Sequence, residues 1–213
     1  EIHERLVGSE MCIRDRSKIS WRPGTMVYPV PAALVSVGAT PDEWNLLTVA
    51  WIGTVCSDPA MLSISVRPER HSFPLIEKTG EFTVNLTTVD MARSVDWCGV
   101  RSGAQYDKWK ETGLVPIPGE KVKSPTVEQS PLSIECVVRS RTDLGTHTMF
   151  LAEVVNVRAD SRYMDPETGR FMLEKANLLA YVHGHYYALG DMIGKFGFSV
   201  QKKKPETTKK KKK

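Results

Sequence analysis

The chain has 213 residues, 41% of them hydrophobic and 25% charged, with a formal net charge of +4. Such fractions suit one globular domain with a sizeable core, and they exclude wholesale disorder, collagen-like repeats and a disulfide scaffold. The positive charge is local. Residues 202–213 (KKKPETTKKKKK) carry eight Lys and one Glu, which leaves a mildly acidic body, so a nucleic-acid partner is not expected.

The longest apolar stretches, Met26–Val37 and Leu46–Val55, fall short of the ~20 residues of a membrane span. The first 25 residues show no charged start followed by an apolar block, so no secretory signal is expected. Cys12, Cys56, Cys98 and Cys136 are far apart and form no CxxC pair. Neither a disulfide framework nor a zinc site is expected, and a reducing cytoplasm fits best.

Residues 1–17 lack clear periodicity, and SEMCIRDR resembles a translated adapter sequence more than native protein. That segment is set aside, Cys12 with it. From Met26 the pattern is strand-rich. Met26–Val37 reads as a first or edge strand, and Gly38–Asn45 as turn-rich. Leu46–Cys56 and Met61–Arg67 read as strands joined by a turn at Ser57–Pro59. Ser72–Lys78 is expected to be a short helix with Ser72 as N-cap, ended by Gly80. Glu81–Thr87 alternates as a strand. Asp90–Trp97 and Tyr106–Thr112 read as short helices separated by a small-residue turn, Cys98–Gly103. A Pro/Gly/Lys-rich connection over residues 115–125 leads to long strands at Leu132–Arg141 and Thr148–Arg158, with a polar excursion over Asp160–Glu174 and a last strand at Ala176–Val182. Strands without regular βαβ alternation argue for an antiparallel barrel of about six strands with short helices. The expected organisation is an artefactual or disordered segment over residues 1–17, one domain over residues 18–200 and a disordered Lys-rich tail over 201–213.

Familiar catalytic signatures are missing. No G-x-G-x-x-G follows a strand, Gly194–Lys195 lacks the remainder of a P-loop, and there is neither G-x-S-x-G nor H-E-x-x-H. His183 and His185 could bind a metal at i,i+2, but no carboxylate or cysteine lies nearby in sequence, so polar surface is the simpler reading.

The informative block is residues 45–85. Arg67 and Arg70 flank a strand end and precede His71 and Ser72 at an expected helix start. Unpaired backbone N–H groups and two guanidiniums there suit an anion such as phosphate. An ordinary capped helix with solvated arginines fits these residues equally well. In the preceding strand, Thr48, Ala50, Gly53 and Thr54 are small or hydroxylic, and a glycine within a strand commonly marks close approach of a ligand. Trp51 could wall the same site, although a core tryptophan is the simpler reading.

Those residues resemble the flavin reductase-like, FMN-binding split-barrel family, flavoredoxin-type branch. Four blocks carry the resemblance: Asn45-x-x-Thr48-Val49-Ala50-Trp51-Ile52-Gly53-Thr54; Asp58-Pro59-x-Met61 through Pro68 with Arg70-His71-Ser72; Gly80-Glu81-Phe82-x-Val84-Asn85-Leu86; and Cys98-Gly99-x-x-Ser102-Gly103 with Asp107-Lys108. Tyr186-Tyr187-x-Leu189-Gly190 to Gly197 adds to it, and Trp109 stands where the family pattern has Phe. The resemblance implies a six-stranded split β-barrel, a homodimer, and FMN held non-covalently. It implies Thr48, Val49, Ala50 and Trp51 along the flavin ring, Ser63, Ser65 and Arg67 beside the ribityl chain and phosphate, and Arg70, His71 and Ser72 around the phosphate. Asn85, Cys98 and Ser102 would be outer contacts; a small packed thiol is the simpler reading of Cys98. The implied activity is an NADH- or NADPH-dependent flavin reductase with no catalytic side chain, the chemistry being borne by the flavin. The alternative is a flavoredoxin-like electron carrier serving a partner redox protein.

Overall fold

A computed structural model describes residues 18–200; the N-terminal segment 1–17 and the Lys-rich tail 201–213 lie outside the described residues. The principal sheet has seven antiparallel strands, one more than expected, and they curl into a split barrel. In chain order its strands are β2 (Ala33–Val37), β3 (Asn45–Val49), β4 (Ile52–Ser57), β5 (Ala60–Val66), β6 (Glu81–Asn85), β9 (Leu132–Asp143) and β10 (Thr148–Ala159), arranged β3-β2-β6-β9-β10-β5-β4. β1 (Val30–Pro31), β11 (Leu179–Val182) and β12 (His185–Ala188) form a second small sheet, and β7 (Pro116–Ile117) pairs with β8 (Thr126–Val127).

Closure of the barrel explains a departure from the sequence expectation. Leu46–Cys56 reads as one strand, yet the chain breaks at Ala50–Trp51, leaving one edge of the sheet as β3 and joining the opposite edge as β4. The Ser65 N–H donates to the Trp51 carbonyl at 2.9 Å, tying the crossing to β5. Register shifts within β10, against β9, supply the curl.

Two apolar cores lie on opposite faces of β2 and β3. Val35, Val37, Leu47 and Val49 face the barrel interior with Ile64, Phe73, Ile76, Phe82 and Phe150. Leu34 and Leu46 face outward against Val95, Cys98, Leu114 and Leu179. Burial on both faces accounts for the nearly continuous apolar sequence of β2, whose one polar residue, Ser36, is buried as well. The outer layer is built from α2 (Ala92–Val100) and α3 (Lys108–Thr112), whereas α1 (Ser72–Thr79) contributes Phe73 and Ile76 to the inner core.

Three local outcomes differ from the sequence reading. Cys98, Gly99 and Val100 belong to α2 rather than to a turn, because Val95 and Cys98 pack into the outer core and carry the helix on. A second hairpin strand, β12, follows β11 through a turn where His183 and Gly184 both take positive φ. His71, not Ser72, occupies the N-cap position of α1, and it makes no side-chain cap bond. Successive turns explain this: Arg70 N–H donates to Arg67 C=O and Phe73 N–H to Arg70 C=O, so a capping hydroxyl is not needed. Among the described residues no helix is long and apolar enough to cross a membrane.

Candidate functional site

Two adjoining cavities lie where β3 crosses toward β5. The larger, about 500 Å³, is walled by Thr48, Val49, Ala50 and Trp51, by Ser65–Arg67 at the end of β5, by Asp96 and Gly99 on α2, and by Tyr181 and Tyr186 of the β11–β12 hairpin. The smaller, about 440 Å³, is walled by the 67–72 turn, the C-terminal end of α2, Ser102, Gly103 and Lys108. Thr48, Arg67, Arg70 and Gly99 line both, so the two form one bipartite cleft.

The halves differ in chemistry. Around the larger half stands an aromatic group: Tyr28 lies 6.5 Å from Trp51 and 6.2 Å from Tyr181, centroid to centroid, and Tyr181 lies 5.6 Å from Tyr186. Flat apolar walls of this kind suit a planar heterocycle. Tyr186 donates its hydroxyl to Asp96 Oδ1 at 3.2 Å; burial first, and the Asp96 charge second, push its phenol up to about 12, so it remains a donor. His147 sits at the same cavity wall, and burial lowers its pKa, with Arg67 acting in the same direction.

The smaller half is cationic. Arg67, Arg70, Arg101 and Lys108 line it together with His71, against one carboxylate, Glu69. Arg67 Nη1 donates to Glu69 Oε1 at 3.2 Å, and Arg70 Nη1 donates to the Gly99 carbonyl at 3.1 Å. Asn45 Nδ2 donates to Ser72 Oγ at 2.7 Å, fixing the start of α1 against β3. Excess positive charge beside polar donors matches a phosphomonoester, and joined to an aromatic-walled cleft the donor set fits FMN.

Most of the predicted site residues come together. Thr48, Val49, Ala50, Trp51, Ser65, Arg67 and Arg70 line the larger half, and His71, Ser72, Cys98 and Ser102 line the smaller. The Thr48 hydroxyl, however, donates to the Val95 carbonyl, which couples β3 to α2. Burial pushes the Cys98 thiol up to about 11, so it is a packed thiol and not a thiolate.

Two predicted residues lie apart. Ser63 is on β5 opposite Gly53 and Leu151 and lines neither cavity. Asn85 is fully buried as a strand-to-strand pin. Its Nδ2 donates to Leu34 C=O (3.1 Å) and Ser36 Oγ (3.0 Å), and its Oδ1 accepts from Val127 N–H (2.9 Å) and Ser133 Oγ (2.7 Å), leaving no capacity for a ligand. Gly53, on the edge strand β4, lines neither cavity, and a Cβ built there meets no protein atom within 4 Å. Asp96, His147 and Tyr181 line the cleft without having been expected there, and Lys108, quoted above only as part of the Asp107-Lys108 block, joins them. The i,i+3 spacing of Asp96 and Gly99 was a usable signal once α2 is extended to Val100.

The sequence model of the flavin reductase like domain matches residues 25–190. An uncharacterised protein of Pyrococcus abyssi is 32% identical over 130 residues, covering 61% of this chain and 74% of its own length. The solved flavoredoxin of Desulfovibrio vulgaris superposes with a TM-score of 0.80 at 28% identity, over 87% of this chain and 100% of its own. An NADH-dependent FMN reductase of Streptomyces nodosus is 24% identical over 152 residues, 71% of this chain and 78% of its own length.

Proposed function

The chain belongs to the flavin reductase-like domain family, and on that premise we propose that it binds FMN and reduces it with NADH or NADPH. The carrying observation is the bipartite cleft, aromatic at one end and cationic at the other, joined through Thr48, Arg67, Arg70 and Gly99. When bound, FMN supplies the acceptor for hydride, so the protein needs no acid, base or nucleophile of its own. The chain's residues bind and orient. Trp51 and Tyr181 wall the ring end, the guanidiniums of Arg67 and Arg70 hold the phosphate end, and the hydrogen-bonded Tyr186–Asp96 pair stiffens the hairpin against α2. The open side of the cleft admits a nicotinamide for transient stacking, which accounts for hydride delivery without a Rossmann motif. The NADH-dependent relative supports this reading.

A second reading, an electron carrier serving a partner redox protein, is favoured by the likeness to flavoredoxin. One experiment separates them. Protein reconstituted with FMN is mixed anaerobically with NADH and then with NADPH while the flavin absorbance is followed. Bleaching with either nucleotide is expected. Retained FMN that neither nucleotide bleaches rejects the reductase reading and leaves the carrier. We further propose a homodimer, supported by exposed apolar side chains along residues 189–200, and a cytoplasmic setting, supported by three unpaired cysteines among the described residues.

A further inference from the structure

Resting on the flavin reading for its ligand, we propose that the β11–β12 hairpin is a lid over the aromatic half of the cleft, latched shut by the Tyr186–Asp96 hydrogen bond. The lid swings as a unit about a fixed base at Leu179. Tyr181, Gly184 and Tyr186 are the hairpin's share of the cavity wall, and the barrel supplies Thr48–Trp51 and Ser65–Arg67. Swinging the hairpin away opens the aromatic half along one side.

The base is firmly held and the tip is not. Leu179 is buried in the outer core, its N–H donates to the Thr87 carbonyl at 2.9 Å, and Leu178 bridges to Thr88. Among the described residues, no strand of the principal sheet pairs with β11 or β12. β12 has β11 as its one strand neighbour. β11 in turn leans on β1, which offers two paired residues, one of them a proline without an N–H. Residues 18–27, which lead into β1, are exposed throughout. A two-stranded hairpin so supported is marginal on its own. Its tip is nonetheless stiff, because Val182 and His185 pair across a two-residue turn in which His183 and Gly184 both have positive φ (44° and 90°). A stiff unit on a weak mounting moves as a body rather than fraying strand by strand.

One bond ties that tip to α2. Among the described residues, the bond from the Tyr186 hydroxyl to Asp96 Oδ1 is the one side-chain hydrogen bond between residues 180–188 and the rest of the chain. The other restraints are ring contacts of Tyr28, with Tyr181 and, at 5.9 Å and edge-on, with His183. Asp96 is exposed, so water replaces the tyrosine as its partner and the latch opens at modest cost. The bond is the same with the cleft empty or filled. It therefore sets how often the lid opens and not how tightly a ligand is held.

The test compares wild type with Tyr186→Phe, Asp96→Ala and the double variant. Hydrogen exchange of flavin-free protein is followed by mass spectrometry, and FMN association and release are timed by stopped-flow fluorescence. Peptides covering residues 181–188 are expected to exchange about tenfold faster in each variant, with β5, β6 and β9 unchanged. FMN association and release should both quicken by about tenfold, leaving the dissociation constant within about twofold of wild type. The double variant should match the singles, since all three lack the same bond. Hairpin exchange equal to wild type in both single variants overturns the lid. Faster FMN release at unchanged association means that the Tyr186 hydroxyl holds the ligand, and it rejects the latch. Effects that add in the double variant reject it too. Wild-type protein that binds no FMN overturns the flavin reading, and exchange in flavin-free protein then decides the lid alone. Should one substitution prevent folding, the other single variant carries the same comparison.

Discussion

At the residue scale, two kinds of cation share the cationic half of the cleft, and they separate by experiment. Arg67 and Arg70 are solvent-facing, so the double substitution to alanine is expected to preserve the fold and weaken FMN binding by about 10- to 100-fold. Flavin retention equal to wild type removes both arginines from the site. Lys108, buried at the start of α3, predicts something the arginines do not, a stability effect of known sign. Its folded pKa lies below the unfolded value near 10.5, so the penalty is present in full below about pH 8 and is relieved as pH rises toward 10.5. The penalty is about 3 kcal/mol, against about 1 kcal/mol for the bond that its Nζ donates to the Cys98 carbonyl. Flavin-free Lys108→Met should therefore be more stable than wild type at pH 7 in chemical denaturation, with the gap narrowing by pH 10. A gap of constant size, or none, would sink that assignment. The arginines were legible because charge beside a strand end and a helix start is a sequence pattern. Lys108 was not, since a lysine's burial depends on α3 docking through the Trp109 indole N–H to the Trp44 carbonyl at 3.0 Å, a contact between residues 65 apart in sequence.

At the element scale, the cleft depends on how α1 begins and how β3 ends. Strand and helix positions were largely readable from alternation and from Gly80 and Gly113, which close α1 and α3 with positive φ. The break at Ala50–Trp51 was not, because nothing in a strand-like run mixing β-branched and small residues marks where a chain changes sheet edges; closure of the barrel decides it. Asn45 illustrates the same limit, being a β3 residue whose amide reaches across to Ser72 at the start of α1. Gly103 leaves that amide room: a Cβ added there would sit 2.2 Å from Asn45 Oδ1, well inside contact distance. Gly103→Ala is thus expected to displace the Asn45 side chain, break its bond to Ser72 and cost about 1–3 kcal/mol in unfolding free energy. FMN affinity should fall with it, because the 67–72 turn is the wall that shifts. Unfolding that matches wild type, with unaltered flavin binding, would show that the amide has another place to go.

At the scale of the whole molecule, the charge and the apolar surface point to different parts of the chain. The positive balance belongs to residues 202–213 and says nothing about the cleft, whose cations sit in a mildly acidic body. The apolar surface is concentrated instead just before that tail. Leu189, Met192, Ile193, Phe196 and Phe198 are each more than half exposed on a stretch without strand or α-helix, following directly from the hairpin that walls the aromatic half of the cleft. Isolated exposed apolar residues are ordinary, but five within ten positions form a patch of the sort that marks an interface. A second copy of the chain is the proposed occupant, and burying side chains of this size contributes about 1.5–3 kcal/mol each. Combining Ile193→Asp with Phe196→Ser should therefore raise the dimer dissociation constant by about two to four orders of magnitude. Light scattering at micromolar concentration is expected to give twice the chain mass for wild type and a single chain mass for the double variant, with unchanged far-ultraviolet circular dichroism because neither side chain belongs to either core. A monomeric wild type would remove the dimer. A double variant that remains dimeric would move the interface elsewhere, with the exposed edge strand β4 the next surface to substitute.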